Sequence, residues 1–365
     1  MAISTRKIVY ILGAGFSYGT DHSVDWGQSN IKMPLQNNLL ELIFKLNYRK
    51  IRGLDPLAKT IRKYFSPDTY RSQHREGARR HQDLQNLSVE EIVTFFEEMV
   101  RDLESEIEAA VFRKAETELR KQTIDLIAYL SIHGSPGKNK ILKEFRELLL
   151  GTDTVITFNW DTLLERALLN KGRWHPAWGY GASVRKAFTY VGDTPKALKK
   201  HVTILKLHGS INWLANNEER VITKNFSPNG RPDDVVMMPP KMLKREIWGE
   251  KPTEEQTRPL RGNWAIHDQK LYPNIWREAE EHLLRAKRIV FIGYSFPAAD
   301  TSVFGLLRRS LATSKIKHGE HPEIFIVDPN APSLAQRFYQ SFKIQVPSKN
   351  QFLSLATYVL PRSRL

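Results

Sequence analysis

The 365 residues are 41% hydrophobic, enough to bury a sizeable core in one large or two ordinary domains. There is no cysteine, which excludes disulfides, thiolate nucleophiles and cysteine-held zinc and leaves oxygen and nitrogen groups for any mechanism. Lysine and arginine outnumber aspartate and glutamate by 55 to 40, and the resulting +15 raises the prospect of contact with nucleic acid, nucleotides or an acidic partner.

The basic residues are spread broadly. The densest run is Arg71 to His81, Lys196, Lys199 and Lys200 form a smaller one, and no recognisable nucleic-acid motif accompanies either. The charge reads first as solvated faces that keep a large protein soluble. The first apolar segment, after Met1 to Lys7, is about six residues long, too short for a signal sequence or a membrane span, so a cytoplasmic protein is expected.

Five short apolar runs stop abruptly on small or polar residues. Ile8 to Leu12 precedes Gly13-Ala14-Gly15-Phe16-Ser17, and Val155 to Phe158 precedes Asn159-Trp160-Asp161. Val202 to Leu207 runs into His208-Gly209-Ser210, Ile289 to Ile292 into Gly293-Tyr294-Ser295, and Ile324 to Val327 into Asp328-Pro329-Asn330. Continuous apolar runs of this length suit strands covered on both faces. As parallel neighbours they predict an α/β fold, a Rossmann-like parallel sheet with helices on both faces, whose strand ends line one ligand crevice.

After the first strand, glycines at 13 and 15 let backbone amides approach a diphosphate at a helix start, although any tight strand-to-helix turn also uses glycine. The dehydrogenase version of this turn is absent. The third glycine falls late, at Gly19, Asp21 to Asn30 reads as a polar loop, and Leu39 to Leu46 reads as helix rather than as a strand ending in a ribose-binding acid. Hydride transfer is therefore disfavoured. From 47 to 150 the spacing is mostly helical, as in Ser88 to Phe96 and Thr123 to Leu130, with Ser88 and Glu91 as a capping box. This predicts a helical inserted subdomain, closing with a helix over Lys140 to Leu150. It would split a catalytic domain made of 1–46 and 151–345, with 346–365 as a C-terminal extension. Glu90, Glu91, Glu97 and Glu98 read as a solvated helix face rather than as metal ligands.

Asp161 or Thr162 can cap a helix over Leu163 to Leu169. Asn159 is more informative, because a strand-end amide both donates to and accepts from a sugar hydroxyl or a water. Trp174-His175-Pro176 and Trp178-Gly179-Tyr180-Gly181 form an aromatic loop that either covers a ligand or packs. Residues 241–272, charged and broken by Pro252, Pro259 and Gly262, read as a long loop or lid. Helices follow at about Ile275 to Ala286, from Asp300 through Leu311, and over Ser333 to Phe342.

In order and spacing, the five strand-end motifs resemble those of the sirtuin superfamily, over residues 7 to 345. Within it the chain looks like the divergent bacterial branch that hydrolyses NAD in antiviral defence. Protein-deacylating sirtuins carry a four-cysteine zinc ribbon and a glutamine before the asparagine; here there is no cysteine, and Phe158 precedes Asn159. Their acidic-arginine loop is replaced by Asp21 to Gln36.

The resemblance implies NAD as substrate, no metal, and Asn159 and His208 as the catalytic pair. It implies that Gly13, Ala14, Gly15 and Ser17 hold the diphosphate, that Phe16 shields the nicotinamide ribose, and that Asp161 orients the nicotinamide pocket. Gly293, Tyr294 and Ser295 would meet phosphate and ribose, with Asp328 and Asn330 near the adenosine. The residue types agree with this chemistry. Breaking the nicotinamide–ribose bond expels a neutral leaving group through an oxocarbenium-like transition state, so the reaction needs positioning and water exclusion more than a strong acid. Asn159 can position water and ribose hydroxyls, and the imidazole of His208 can accept a proton near neutral pH.

The expected activity is NAD glycohydrolysis to nicotinamide and ADP-ribose. The alternatives are ADP-ribose transfer to an acceptor, or a non-catalytic sensor that binds NAD or ADP-ribose; a nucleic-acid scaffold rests on charge alone. A free NAD hydrolase would poison its own cell. Regulation is therefore expected, and the resemblance implies homo-oligomers and a separate activating protein, such as a translocase-type ATPase, an Argonaute-like protein or a phage component.

Overall fold

A computed structural model of the chain describes residues 7–20, 23–26, 29–47, 54–66, 87–133, 139–169, 172–215, 219–223, 234–238, 271–298 and 300–359. The basic run Arg71 to His81 and residues 241–270 of the expected lid lie outside the described residues. In chain order the strands are β1 (Ile8–Leu12), β2 (Ser23–Trp26), β3 (Ser29–Lys32), β4 (Thr154–Thr157), β5 (Thr189–Val191), β6 (Thr203–Lys206), β7 (Gly209–Ala215), β8 (Arg220–Thr223), β9 (Val235–Met237), β10 (Arg288–Ile292), β11 (Glu323–Val327) and β12 (Gln351–Phe352).

Six of them form one sheet in the order β12-β11-β10-β1-β4-β6, every neighbouring pair parallel. The α/β class expected from the five apolar runs is the observed one, a Rossmann-like parallel sheet flanked by helices. Every residue of β1 but Ile8 is buried, as is all of β4, which is why these runs carry no polar alternation. From β1 the chain builds outward through β4 and β6, then returns to β1's other side with β10. The strand order therefore reverses between β1 and β10, the place where open α/β sheets bind ligands.

Register sets the strand ends level. Leu12 pairs with both Ile292 and Thr157, Ile292 pairs with Val327, and Thr157 pairs with Lys206. The five turns beyond these residues consequently share one edge. Residues 346–359 add to this body: β12 extends the sheet beside β11, and Tyr358 and Val359 are buried in its core.

A second, four-stranded sheet, β5-β8-β7-β9, begins where β6 ends. Leu207 and His208 form a turn and the chain leaves for β7, so the stretch Val202 to Ser210 is a strand, a corner and the start of another strand. Gly209 makes the corner possible. Its φ is +78°, and a Cβ there would lie 2.2 Å from the carbonyl oxygen of Val236.

Helices Leu39–Asn47, Leu54–Phe65, Val89–Asp102 and Glu106–Ile132 build a separate apolar cluster with β2, β3 and the inner face of β7 and β9. Ser88 caps its helix by accepting from the amide of Glu91 at 3.2 Å, as the sequence pattern predicts. Two expectations need correction. Where a loop is expected over Asp21 to Asn30, β2 and β3 pair antiparallel, with Val24 opposite Ile31 and both buried in the helical cluster. The helix ending this region, Lys140–Leu148, packs instead with the parallel sheet, placing Leu142 and Phe145 in the sheet's core. The aromatic loop packs as well: Trp174 meets Tyr180 edge-on at 4.9 Å, and Gly179 has no Cβ because the Trp174 ring occupies that space. Among the described residues no helix is long and apolar enough to cross a membrane.

Candidate active site

At the switch point the turns after β1 and β10 touch backbone to backbone. Gly13 N–H donates to Ile292 O and Gly15 N–H to Gly293 O, both at 3.0 Å. A Cβ on Gly13 would lie 2.4 Å from Gly293 O, one on Gly15 2.7 Å from Gly293 Cα, and one on Gly293 2.1 Å from Phe16 N. Gly293 also has φ +59°. The three glycines therefore serve first to let two strand-end turns interlock. The amides of Gly13 and Gly15 are engaged in that contact. Ala14, at the first helical position, has no acceptor within its own helix.

Beyond β4, the Asn159 side chain reaches back to the first turn. Its Nδ2 donates to Gly13 O at 2.9 Å and to Ser17 Oγ at 3.0 Å, and its backbone N–H donates to Thr157 Oγ1 at 3.1 Å. Gly13 O can only accept, so the amide orientation is fixed with Oδ1 as the group left for a water or hydroxyl. Ser17 Oγ in turn donates to Asp161 Oδ2 at 2.7 Å. Asp161 Oδ1 accepts from Leu163 N–H at 3.0 Å, so this residue both starts the helix Leu163–Leu169, as expected, and anchors Ser17.

His208 stands in the corner after β6. Because Thr157 and Lys206 are register partners, Asn159 and His208 lie two residues past the ends of adjacent strands. The imidazole lies between Phe158, ring centroids 5.1 Å apart, and Trp276, 6.4 Å apart, with 9% of the residue exposed. Phe158 continues the contact to Tyr294 at 5.0 Å. These two rings help to keep water from the imidazole, whose Nε2 is buried. Tyr294 is buried, which together with the nearby Asp300 carboxylate holds its hydroxyl well above the usual tyrosine range; that hydroxyl donates to Asp300 Oδ2 at 2.9 Å.

The remaining expected site residues are placed as follows. Phe16, expected to shield a ribose, is 1% exposed and packs edge-on against Phe145 at 5.1 Å, so its ring faces the core. Ser295 is exposed, and its carbonyl accepts from Arg337 Nη1 at 2.8 Å. Asp328 Oδ1 accepts from Asn330 N–H at 2.9 Å, shaping the turn past β11; burial raises the Asp328 carboxyl above its ordinary value.

Sequence reasoning passed over Lys206 and Glu165. Lys206 Nζ donates to the Asp161 carbonyl and, at 2.8 Å, to Glu165 Oε1, with the two side chains 1% and 3% exposed. Burial raises the Glu165 carboxyl against the opposing pull of Lys206. The signal was available: a lysine closing an apolar strand must find a partner when that strand is buried. Ser17, Thr157, Asn159, Asp161, Glu165 and Lys206 together line a small space of about 10 Å³, the size of one water position. Among the described residues no group of three or more His, Asp or Glu is placed to hold a metal ion.

A SIR2-like domain model matches residues 153–346, more than half of the chain. This chain belongs to the SIR2-like family. Solved structures similar to it include a serine-to-alanine mutant of a Sir2 homologue in complex with ADP-ribose, at 14% identity, covering 99% of this chain and 94% of that one, with a TM-score of 0.38. Another is a Sir2 bound to an inhibitor, 2′-O-acetyl-ADP-ribose and a deacetylated peptide, at 14% identity, covering 98% and 91%, with a TM-score of 0.32. Among curated proteins none matches this sequence. The family assignment rests on the domain match, which spans the turns bearing Asn159, His208, Gly293 and Asp328.

Proposed function

We propose that this SIR2-like protein binds NAD across the β1/β10 switch point and hydrolyses its nicotinamide–ribose bond, giving nicotinamide and ADP-ribose. The observation that carries this reading is the joined set Ser17, Asn159 and Asp161, held beside the His208 corner at the level ends of β1, β4 and β6. Both hydrogens of the Asn159 amide are in use, so Oδ1 is the atom offered to an attacking water or a ribose hydroxyl. His208, walled by Phe158 and Trp276, accepts the proton that the oxygen loses. A neutral nicotinamide leaves without protonation, so no carboxylic acid is required beside it.

Diphosphate would meet the first turn through Ala14 N–H, with Tyr294 and Ser295 on the far side. Residues 241–270 and the helices of 47–133 are candidate sites of control by a partner protein or by further copies of the chain. Purified protein incubated with NAD, with and without proteins that co-purify from its host, is expected to release nicotinamide. Asn159→Ala and His208→Ala should each lower that rate by roughly 100-fold or more. Unchanged release in both variants would remove the assignment.

A further inference from the structure

The Lys206–Glu165 pair touches no atom that the proposed reaction changes, yet it lies directly under the Asn159 turn. Stability alone does not account for it, because taking two charges out of water costs several kcal/mol each and a buried pair is often no better than apolar residues of similar volume. Its contacts point elsewhere. Lys206, two residues before His208, holds the carbonyl of Asp161, two residues after Asn159. Ser210, two residues past His208, reaches the carbonyl of Trp160 at 3.4 Å, and Ile211 N–H donates to the same oxygen at 3.2 Å. Both sides of the His208 corner therefore grip the two carbonyls that immediately follow Asn159.

The far side of the pair closes the same ring. Tyr180 OH approaches Glu165 Oε1 at 3.4 Å and Asn212 Oδ1 at 3.3 Å, and Ser210 Oγ donates to Asn212 Oδ1 at 2.7 Å. A path of contacts thus runs from Lys206 through Glu165, Tyr180 and Asn212 back to Ser210, enclosing the corner that carries the imidazole. We infer that Lys206 and Glu165 are positioning residues that fasten the Asn159–Asp161 turn to the His208 corner, so that the amide and the imidazole are held in one geometry. The kinetic part of this inference rests on the NAD-cleaving reading above; the structural part does not.

The test compares the whole protein with Lys206→Met and with Lys206→Met/Glu165→Met, which removes both charges without stranding one. Three quantities are read: the melting temperature, hydrogen exchange of the amides from Asn159 to Leu163, and nicotinamide release with kcat and KM separated. The single variant leaves Glu165 buried without its cation and should melt lower. The double variant should melt near the parent, yet exchange faster across Trp160 to Leu163 and lose roughly 10- to 100-fold in kcat with little change in KM, as expected when reacting groups are displaced but binding is kept. A double variant with parental exchange across that turn, or with parental kcat, overturns the positioning role. A parent protein that releases no nicotinamide under any condition overturns the functional reading instead, and the exchange comparison still decides the structural claim.

Discussion

Gly15 donates its amide to the carbonyl of Gly293 at 3.0 Å, and neither residue has room for a Cβ facing the other. The contact joins β1 to β10 at the point where the strand order reverses, so it sets the floor of the crevice. Gly293→Ala combines a backbone overlap at Phe16 N with a φ of +59°, and neither can be relieved by turning a side chain. It should cost at least about 2–3 kcal/mol, enough to lower the melting temperature by several degrees. Gly305→Ala is the control: it lies inside the helix Thr301–His318, its Cβ would meet nothing closer than Arg309 Nη1 at 3.8 Å, and it should gain up to about 1 kcal/mol. Equal melting shifts in the two variants would contradict the interlock.

Ser17 is the second place where one atom holds two turns. Its hydroxyl takes a hydrogen bond from Asn159 and gives one to Asp161. Ser17→Ala leaves Asp161 Oδ2 without its donor in a buried site, a loss of about 1–3 kcal/mol. It also frees one Asn159 amide hydrogen, so the side chain can rotate and NAD cleavage should fall by roughly tenfold or more. Ser17→Thr, which keeps the hydroxyl, should retain more of both. A Ser17→Ala protein with parental melting and turnover would show the bridge to be idle.

Much of this was legible in the sequence because it rests on burial alone. Strands covered on both faces must read as unbroken apolar runs, and the residues that interrupt them mark the edge where groups are displayed, hence the early view of Asn159 and His208. The pairing of β2 with β3 was not legible: Ser23-Val24-Asp25-Trp26 and Ser29-Asn30-Ile31-Lys32 are polar apart from Val24, Trp26 and Ile31, and Val24 and Ile31 are buried only within a cluster shared with helices between Leu39 and Ile132. The glycines were legible as glycines but not in purpose, since no spacing reveals that Gly293 lies against Gly15. Phe16 shows the same limit. Its place in a short helix leaves its facing undetermined until Phe145 arrives from a helix more than a hundred residues on.

Asp153 gives the fold a pH dependence at the opposite end of β4. It accepts from the Leu150 amide at 2.9 Å, and burial raises its carboxyl to about 6. A carboxyl raised above its unfolded value of 3.8 favours the protonated folded state. Its contribution is therefore fully present below the unfolded value and is lost as pH rises through about 6. Between about pH 4.5 and pH 7 the loss should be on the order of 2 kcal/mol. Asp153→Asn keeps one acceptor and cannot ionise, so denaturant midpoints at the two pH values should lie closer together than in the parent. An undiminished gap would assign the dependence to other groups.

Phe296 has a φ of 51°, a left-handed conformation that costs a residue with a Cβ about 1–2 kcal/mol. Two features hold it there. Its ring is buried against Phe291 at 4.9 Å and Phe338 at 5.6 Å, and Arg337 donates to the Ser295 carbonyl. The loop displaying Tyr294 and Ser295 is thus pinned by packing beneath and by a guanidinium above. Arg337 and Ser295 are both exposed, so water can replace their hydrogen bond, and Arg337→Ala should change stability by less than about 1 kcal/mol. The loop itself should loosen. Exchange of the Ser295 and Phe296 amides should rise, and ADP-ribose affinity, read by calorimetry, should fall by up to about tenfold, the equivalent of one charged hydrogen bond. Phe296→Ala removes the packing but keeps the Cβ and hence the strain, and should instead lower stability by roughly 3–5 kcal/mol, the usual loss for a core phenylalanine. If Arg337→Ala destabilised the protein as much as Phe296→Ala, or left affinity and loop exchange unchanged, the guanidinium would have no part in holding this loop.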